Sequence, residues 1–395
     1  MASETAPAAT SSPKSRKPAS PPRAVDAPAI EVGDDEIVDD GDSALGSEAS
    51  SSSASISSSI LEYRTMHGRT YHSDRGTAQY WAPNDERQNE VMDLHHHLLT
   101  LASDEKLYHA PLRKDIKKAL DIGTGTGRMP KQSELAMSQF LPHFPTSRNL
   151  GYVCFETILK VRKQDNNDSY SDFADEFPAT EVIGTDVSPI QPSWVPANLK
   201  FEIEDCTQPW TFRPDTFDYV HMRYLVGSVK DWVNLYEQVF RVCKPGGWVE
   251  SFEGMPIMQS DDDTVPKDSA MAGWGKTFIE AGKKLGRTFT VVDDNTQEEG
   301  MQAAGLVNIE SRIFKVPIGR WPKDPSFRNV GLFAQESLEG DTEGHVQHVA
   351  ALAWGWSKEE VVLYCTKLRK EIRSNKHHPY YRIKIVYGRK PEPES

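Results

Sequence analysis

From Lys117 onward the chain alternates two patterns: short apolar runs of strand length, and stretches whose apolar residues recur every three or four positions. "KKALDIG", "TEVIGTDVS" (Thr180 to Ser188), "LKFEIEDC" (Leu199 to Cys206), "TFDYVHMRYL" (Thr216 to Leu225) and "KPGGWVESFE" (Lys244 to Glu253) read as five successive strands. Between the last two, "VKDWVNLYEQVFRVC" places Trp232, Leu235, Val239 and Val242 on one stripe of a helix. Alternation of this kind predicts an α/β domain built on a parallel, doubly wound sheet. Further helices are expected near residues 271–285, 297–304 and 358–374, with "VNIESRIFKVPIG" and "YYRIKIVYG" as two late strands.

Upstream, "NDERQNEVMDLHHHLLTLA" carries Val91, Leu94, Leu98 and Leu101 at helical spacing behind an Asn84-Asp85 cap. Its His95-His96-His97 run reads as part of a partly exposed helix. Adjacent helical positions point about 100° apart, so three in a row cannot converge on one metal ion. Residues 1–60 have a different composition: Ala, Pro, Ser and acid, ending in a serine tract. Too few large apolar residues are present there to offset the entropy of ordering, which predicts a disordered tail. Its basic cluster (Lys14, Arg16, Lys17, Arg23) is either a nuclear-import signal or an ordinary tail patch.

Composition narrows the function classes. The formal net charge of -13 supplies no global positive field for nucleic acid or anionic lipid, so neither partner is expected. Four cysteines (Cys154, Cys206, Cys243, Cys365) form no CxxC pair, which argues against a zinc module or a disulfide framework. With no apolar run near the roughly 20 residues that span a bilayer, a soluble intracellular protein is expected, cytoplasmic or nuclear.

The candidate chemistry sits at the ends of the predicted strands. Asp121-x-Gly123-Thr-Gly125-Thr-Gly127 follows the first strand directly, where glycines let backbone approach a ligand closely. NAD, FAD and S-adenosylmethionine sites all use such a loop, and a tight turn without ligand also fits. The acid before the first glycine could help position a cationic cofactor end. The GxGxG form lacks the GxGxxG spacing of dinucleotide sites. Both details favour S-adenosylmethionine. Asp186, ending the second strand, is placed to accept hydrogen bonds from ribose hydroxyls or to cap a helix. Asp205 and Cys206, after the third strand, are placed near an adenine amino group, although Asp205 could simply cap a turn. On the fourth strand Met222 is a candidate cofactor contact, and His221 is the local candidate for a base.

The ordered series DIGTGTG, VIGTD, FEIEDC, FDYVHMR and KPGGWVE resembles class I S-adenosylmethionine-dependent methyltransferases. More narrowly, "YWAPNDERQNEVMDLHHHLL", "GTDVSPIQPSWVPANLKFEIED" and "FDYVHMRYLVGSVKDW" resemble the fungal LaeA-type methyltransferases, which include regulators of secondary metabolism. The resemblance implies a seven-stranded, mostly parallel Rossmann-like sheet with helices on both faces. "YYRIKIVYG" would be its antiparallel last strand. It also implies a methyltransferase domain over residues 61–395, with a helical cap at 61–112. The implied cofactor is S-adenosylmethionine, held by Asp121, Gly123, Gly125, Gly127, Asp186 and Asp205; the acceptor is a small molecule or protein, and velvet-type regulatory proteins are implied partners. The rivals are a regulatory interaction protein on the same fold without useful catalysis, and a nicotinamide-dependent oxidoreductase.

One feature departs from the family pattern. The family's "DFADEFP" helix segment appears only at Asp172 to Pro178, so Asp186 lies 59 positions after Gly127, where about 20 are expected. Residues 128–171 read as an insertion: a surface loop, a regulatory lid, or an intron carried into the reading frame.

Overall fold

A computed structural model describes residues 61–73, 80–127, 172–192 and 195–393. The expected tail (1–60) and insertion (128–171) lie outside the described residues. The N-terminal part opens with a hairpin, β1 (Arg64–Met66) and β2 (Arg69–Tyr71), which the sequence pattern does not predict. Its turn is His67-Gly68, both at positive φ (53° and 84°), the geometry of a two-residue hairpin loop. The segment expected as a helical cap therefore holds a hairpin as well as helix α1 (Glu86–Ala102), which Asp85 caps by accepting from Gln88 N at 3.2 Å.

The five expected strands are present as β3 (Lys118–Ile122), β4 (Glu181–Asp186), β5 (Leu199–Ile203), β6 (Phe217–Arg223) and β7 (Cys243–Gly254). A short helix α2 (Asp172–Glu176) leads into β4, and α3 (Trp232–Val242) joins β6 to β7. The stripe read from the sequence, Trp232, Leu235, Val239 and Val242, is the buried face of α3. After β7 come α4 (Ala270–Leu285), α5 (Thr296–Ala303), β8 (Val307–Pro317), α6 (Pro325–Gly340), α7 (Thr342–Trp354), α8 (Lys358–Arg373) and β9 (Tyr380–Arg389).

Seven of these strands form one sheet in the order β5-β4-β3-β6-β7-β9-β8. The strands from β5 through β7 are parallel, and β9 runs antiparallel to both β7 and β8, as expected for the last strand. The chain runs outward from β3 through β4 to β5, then returns to β6 on the other side of β3. That reversal opens a crevice at the carboxyl ends of β3 and β6, where ligands bind in such sheets. Leu120, Ile122, Val220 and Met222 pack into the main core from one face of these two central strands.

Two helices that the sequence pattern does not reveal, α6 and α7, complete the wall over that crevice. α6 packs against α1, and α7 against α4. A single guanidinium ties their junction to the N-terminal hairpin. Arg69 Nη1 and Nη2 donate to Asp341 Oδ1 and Oδ2 at 2.8 and 2.7 Å, and Nη2 also donates to Asp85 Oδ1 at 2.6 Å. Asp341, completely buried, is itself the cap of α7, accepting from Gly344 N at 3.2 Å.

Replacing Arg69 by Met should leave Asp341 buried with only Arg87, 3.4 Å away, as counter-charge. A loss of about 3 kcal/mol in urea-unfolding free energy is expected. Arg69→Lys should recover only part of it, because an ammonium cannot fork onto two carboxylates.

Candidate active site

The glycine loop is held by its neighbour strand. Gly123 N and Thr124 N both donate to Thr185 O, at 2.9 and 3.0 Å, and Gly125 N donates to Asp186 Oδ2 at 2.9 Å. From the other side, Thr126 Oγ1 donates to Asp93 Oδ1 of α1. Gly127 has a left-handed backbone (φ 60°), and a Cβ there would come within 2.3 Å of the Phe201 ring. Both the conformation and the close approach require glycine.

Around this loop the structure brings together most of the acids expected from the sequence. Asp121 and His221 are register partners on adjacent parallel strands, so their side chains leave the sheet side by side. The His221 Nδ1–H donates to Asp121 Oδ1 at 2.7 Å. Burial pushes the Asp121 carboxyl upward, but the His221 hydrogen bond and the Arg223 charge outweigh it and hold the group below its usual range. Asp186 accepts from Gly125 N and, through Oδ1, from Ser188 N at 3.0 Å; burial raises its carboxyl to about 6. The expected helix-cap role is not seen: residues 187–192 form bends rather than a helix, and Asp186 caps a turn through Ser188 N.

Asp205 Oδ1 accepts from Thr207 N and Oγ1 at 2.9 and 2.7 Å, the turn-capping arrangement. Its Oδ2 is buried and has no hydrogen-bond partner among the described residues. Cys206 lines the same cavity, and burial, with Asp205 and Asp186 beside it, pushes its thiol up to about 12, far from a thiolate nucleophile. Met222 corrects the sequence expectation. It is completely buried in the core and does not line the cavity, because strand alternation sends Tyr219, His221 and Arg223 to one face and Met222 to the other.

These groups line one cavity of about 380 Å³ that extends from the glycine loop under α1, α4, α6 and α7. The histidine run of α1, which the sequence places on a partly exposed helix, contributes two residues to the lining. His95 meets Tyr224 edge-on (ring centroids 4.8 Å apart), His96 Nδ1 accepts from Arg223 Nη2, and His97 turns to Phe333. The three rings diverge, as helical geometry requires. A usable signal exists in the spacing: His95 is four residues after Val91 and three before Leu98, on the buried face. Farther from the loop, Trp81, Trp274, Phe278 and Phe289 pack ring against ring, with Trp81 edge-on to Phe278 at 5.3 Å.

The sheet order, the crevice at its switch point and the glycine loop gripped by β4 define a class I, Rossmann-like methyltransferase fold. A family model described as a methyltransferase domain matches residues 92–310, more than half of the chain. Methyltransferase pytC of Aspergillus terreus (strain NIH 2624 / FGSC A1156) is 33% identical over 321 residues, covering 81% of this chain and 85% of the relative. The secondary metabolism regulator LAE1 of Cochliobolus heterostrophus is 28% identical over 328 residues, covering 82% and 93%. Among solved structures, phosphoethanolamine N-methyltransferase 2 of Haemonchus contortus, bound to S-adenosyl-L-methionine, matches with a TM-score of 0.38 and 18% identity over 79% of this chain and 54% of that one. The chain belongs to the methyltransferase-domain family. It is a LaeA-like, S-adenosylmethionine-dependent methyltransferase. Among the described residues no helix is long and apolar enough to cross a membrane.

Gly127→Ala should lower the unfolding free energy by about 2 kcal/mol or more, from backbone strain plus displacement of Phe201. Gly355→Ala is the control: it has φ 73° but nothing within 4 Å of an added Cβ. It should cost only about 1 kcal/mol in the same urea titration.

Proposed function

We propose that the loop end of the cavity holds S-adenosylmethionine and that the α1–α7 end receives the methyl acceptor. The observation that carries the reading is the convergence of Asp121, Asp186 and Asp205 on the glycine loop, with Asp205 Oδ2 buried and unpartnered among the described residues. A buried acceptor without a donor is costly, and an adenine amino group would satisfy it. Gly123, Gly125 and Gly127 allow close backbone approach, Asp186 accepts from the ribose hydroxyls, and Cys206 flanks the base. Asp121 supplies negative charge toward the cationic end. Bound there, the cofactor offers an electrophilic methyl group on a sulfonium. The chain's own residues then have to align the acceptor and, if its nucleophile is protonated, take the proton; His221, oriented by Asp121, is the group for that.

On this reading the methyltransferase domain spans residues 61–395, with 128–171 inserted behind the loop. The acceptor is a small molecule or a protein side chain that presents a nucleophile to the α1–α7 end. Partnership with velvet-type proteins follows from likeness to the secondary metabolism regulators, and a nuclear or cytoplasmic address from the basic cluster near residue 16 and the lack of a bilayer-length apolar run in the sequence.

Calorimetric titration with S-adenosylhomocysteine tests the assignment, and saturable one-site binding is expected. A folded chain that fails to bind would favour the non-catalytic regulatory reading. Asp186→Ala should weaken binding on the order of a hundredfold, the loss of two hydrogen bonds to a charged group.

The pH dependence follows from the carboxyl held near 6. The ionised form is the better acceptor, so affinity should be full at pH 7.5 and fall as pH drops through about 6. Asp186→Asn should be weaker throughout and flat across that window. A wild-type affinity independent of pH between 5 and 7.5 would remove Asp186 from the binding set.

A further inference from the structure

Three cavity-lining histidines, His95, His96 and His221, have a buried Nε2 without a hydrogen-bond partner among the described residues, and the tautomers of the last two are fixed by their Nδ1 partners with opposite character. Arg223 can only donate, so His96 Nδ1, which faces Arg223 Nη2, must accept. Burial, and then the Arg223 charge, hold His96 well below the usual histidine range, so the ring is neutral and its hydrogen sits on Nε2. His221 is reversed: its Nδ1–H is committed to Asp121 Oδ1, so in the neutral ring Nε2 carries the lone pair. Both Nε2 atoms are buried, neither has a hydrogen-bond partner among the described residues, and both residues line the cavity. Arg223 links the two, lying two residues from His221 on the same strand face and touching His96.

An orphaned donor and an orphaned acceptor that line one cavity, on rings close enough for His221 to act electrostatically on His96, can be met together by one group that is both. An ether or ketone only accepts, and an ammonium only donates. A neutral amine has one lone pair, which cannot accept from His96 and also attack a methyl group. A hydroxyl oxygen has two. The same cavity offers ring surface from Trp81, Phe278 and Phe289, packed on one another among aliphatic and polar neighbours, which suits a flat apolar body. A phenolic hydroxyl also loses its proton to an imidazole far more readily than an aliphatic one. The cavity of about 380 Å³ has to take the cofactor as well, so the room left beside it suits a compact acceptor.

We propose that the acceptor is a small aromatic alcohol, methylated on oxygen, whose hydroxyl bridges His96 Nε2–H and His221 Nε2 while its ring lies against Trp81, Phe278 and Phe289. This rests on the assignment of S-adenosylmethionine to the loop end. In the transfer, a lone pair of the hydroxyl oxygen forms the new C–O bond as the methyl–sulfur bond breaks, its electron pair staying on sulfur. The hydroxyl proton passes to His221 Nε2, and the positive charge moves from the sulfonium to an imidazolium beside the Asp121 carboxylate.

The test uses the full-length chain saturated with S-adenosylhomocysteine and reads tryptophan fluorescence. Phenol, 2-naphthol and 9-phenanthrol are each titrated against their own methyl ethers. At least one alcohol should bind about tenfold more tightly than its ether, the worth of one to two net hydrogen bonds. His221→Phe and His96→Phe should each bring that ratio within about twofold; S-adenosylhomocysteine affinity should be kept in the His96 variant, whereas His221 also holds Asp121. His96→Gln, whose amide can donate, should restore part of it, and serves where the Phe variant does not fold. Three alcohols no tighter than their ethers, or a preference that survives both Phe substitutions, would overturn the proposal. Repeating the comparison without S-adenosylhomocysteine separates the two readings: a hydroxyl preference in a chain that binds no cofactor sinks the cofactor assignment and the methyl transfer with it, leaving only a hydroxyl-binding site, whereas cofactor binding without a hydroxyl preference sinks this proposal alone.

Discussion

One guanidinium decides where two helices start. Arg69 reaches from the N-terminal hairpin to Asp85 and Asp341, and each of these carboxylates is also the N-cap of its helix, α1 or α7. Carboxylates at helix N-termini are favoured by the exposed amides and by the helix dipole. A shared cation lets one of them be completely buried. The consequence is positional. α1 carries His95 and His96, and α7 carries His345, whose Nδ1 donates to Asp341 O at 2.7 Å. The helical end of the cavity is therefore set by a bond network outside its lining.

The other end is set by backbone. Three successive amides of the glycine loop are committed to β4, two to the Thr185 carbonyl and one to the Asp186 carboxylate. A loop fixed this way does not depend for its shape on the residues immediately after it. That bears on residues 128–171: the conformation of Asp121 through Gly127 is determined by strand pairing upstream and by β4 far downstream. A longer connection between β3 and β4 costs only modest loop entropy and leaves those bonds intact.

Much of this is legible in the sequence, and the omissions have physical causes. The parallel strands are readable because buried strands give continuous apolar runs, and the acids at their carboxyl ends follow from position. α6 and α7 escape notice because Gly331, Gly340 and Gly344 interrupt a weak apolar pattern. Gly331 is needed for contact rather than for helix formation: a Cβ there would fall 2.0 Å from Gly319 O. The hairpin is three residues per strand, too short for periodicity to register. Expecting both Met222 and His221 in the site conflicts with the pleat, since a strand cannot send adjacent residues to one face. His96 is beyond the reach of sequence reading, since its role depends on Arg223, 127 positions away.

Two carboxylates on neighbouring strands end up with opposite behaviour, and the difference follows from their partners. Asp186 has only backbone amides to oppose its burial, and the nearby Asp121 charge works against it, so it titrates near 6. Asp121 is as deeply placed but has an imidazole N–H on one oxygen and the Arg223 guanidinium nearby, so it stays ionised. Separating the pKa values of neighbouring acids is how a single site assigns them different work. Charge at the loop end can therefore adjust to a ligand by one proton close to neutral pH. Charge beneath His221 is constant, which is what an imidazole needs if it is to keep one tautomer and gain a proton in place.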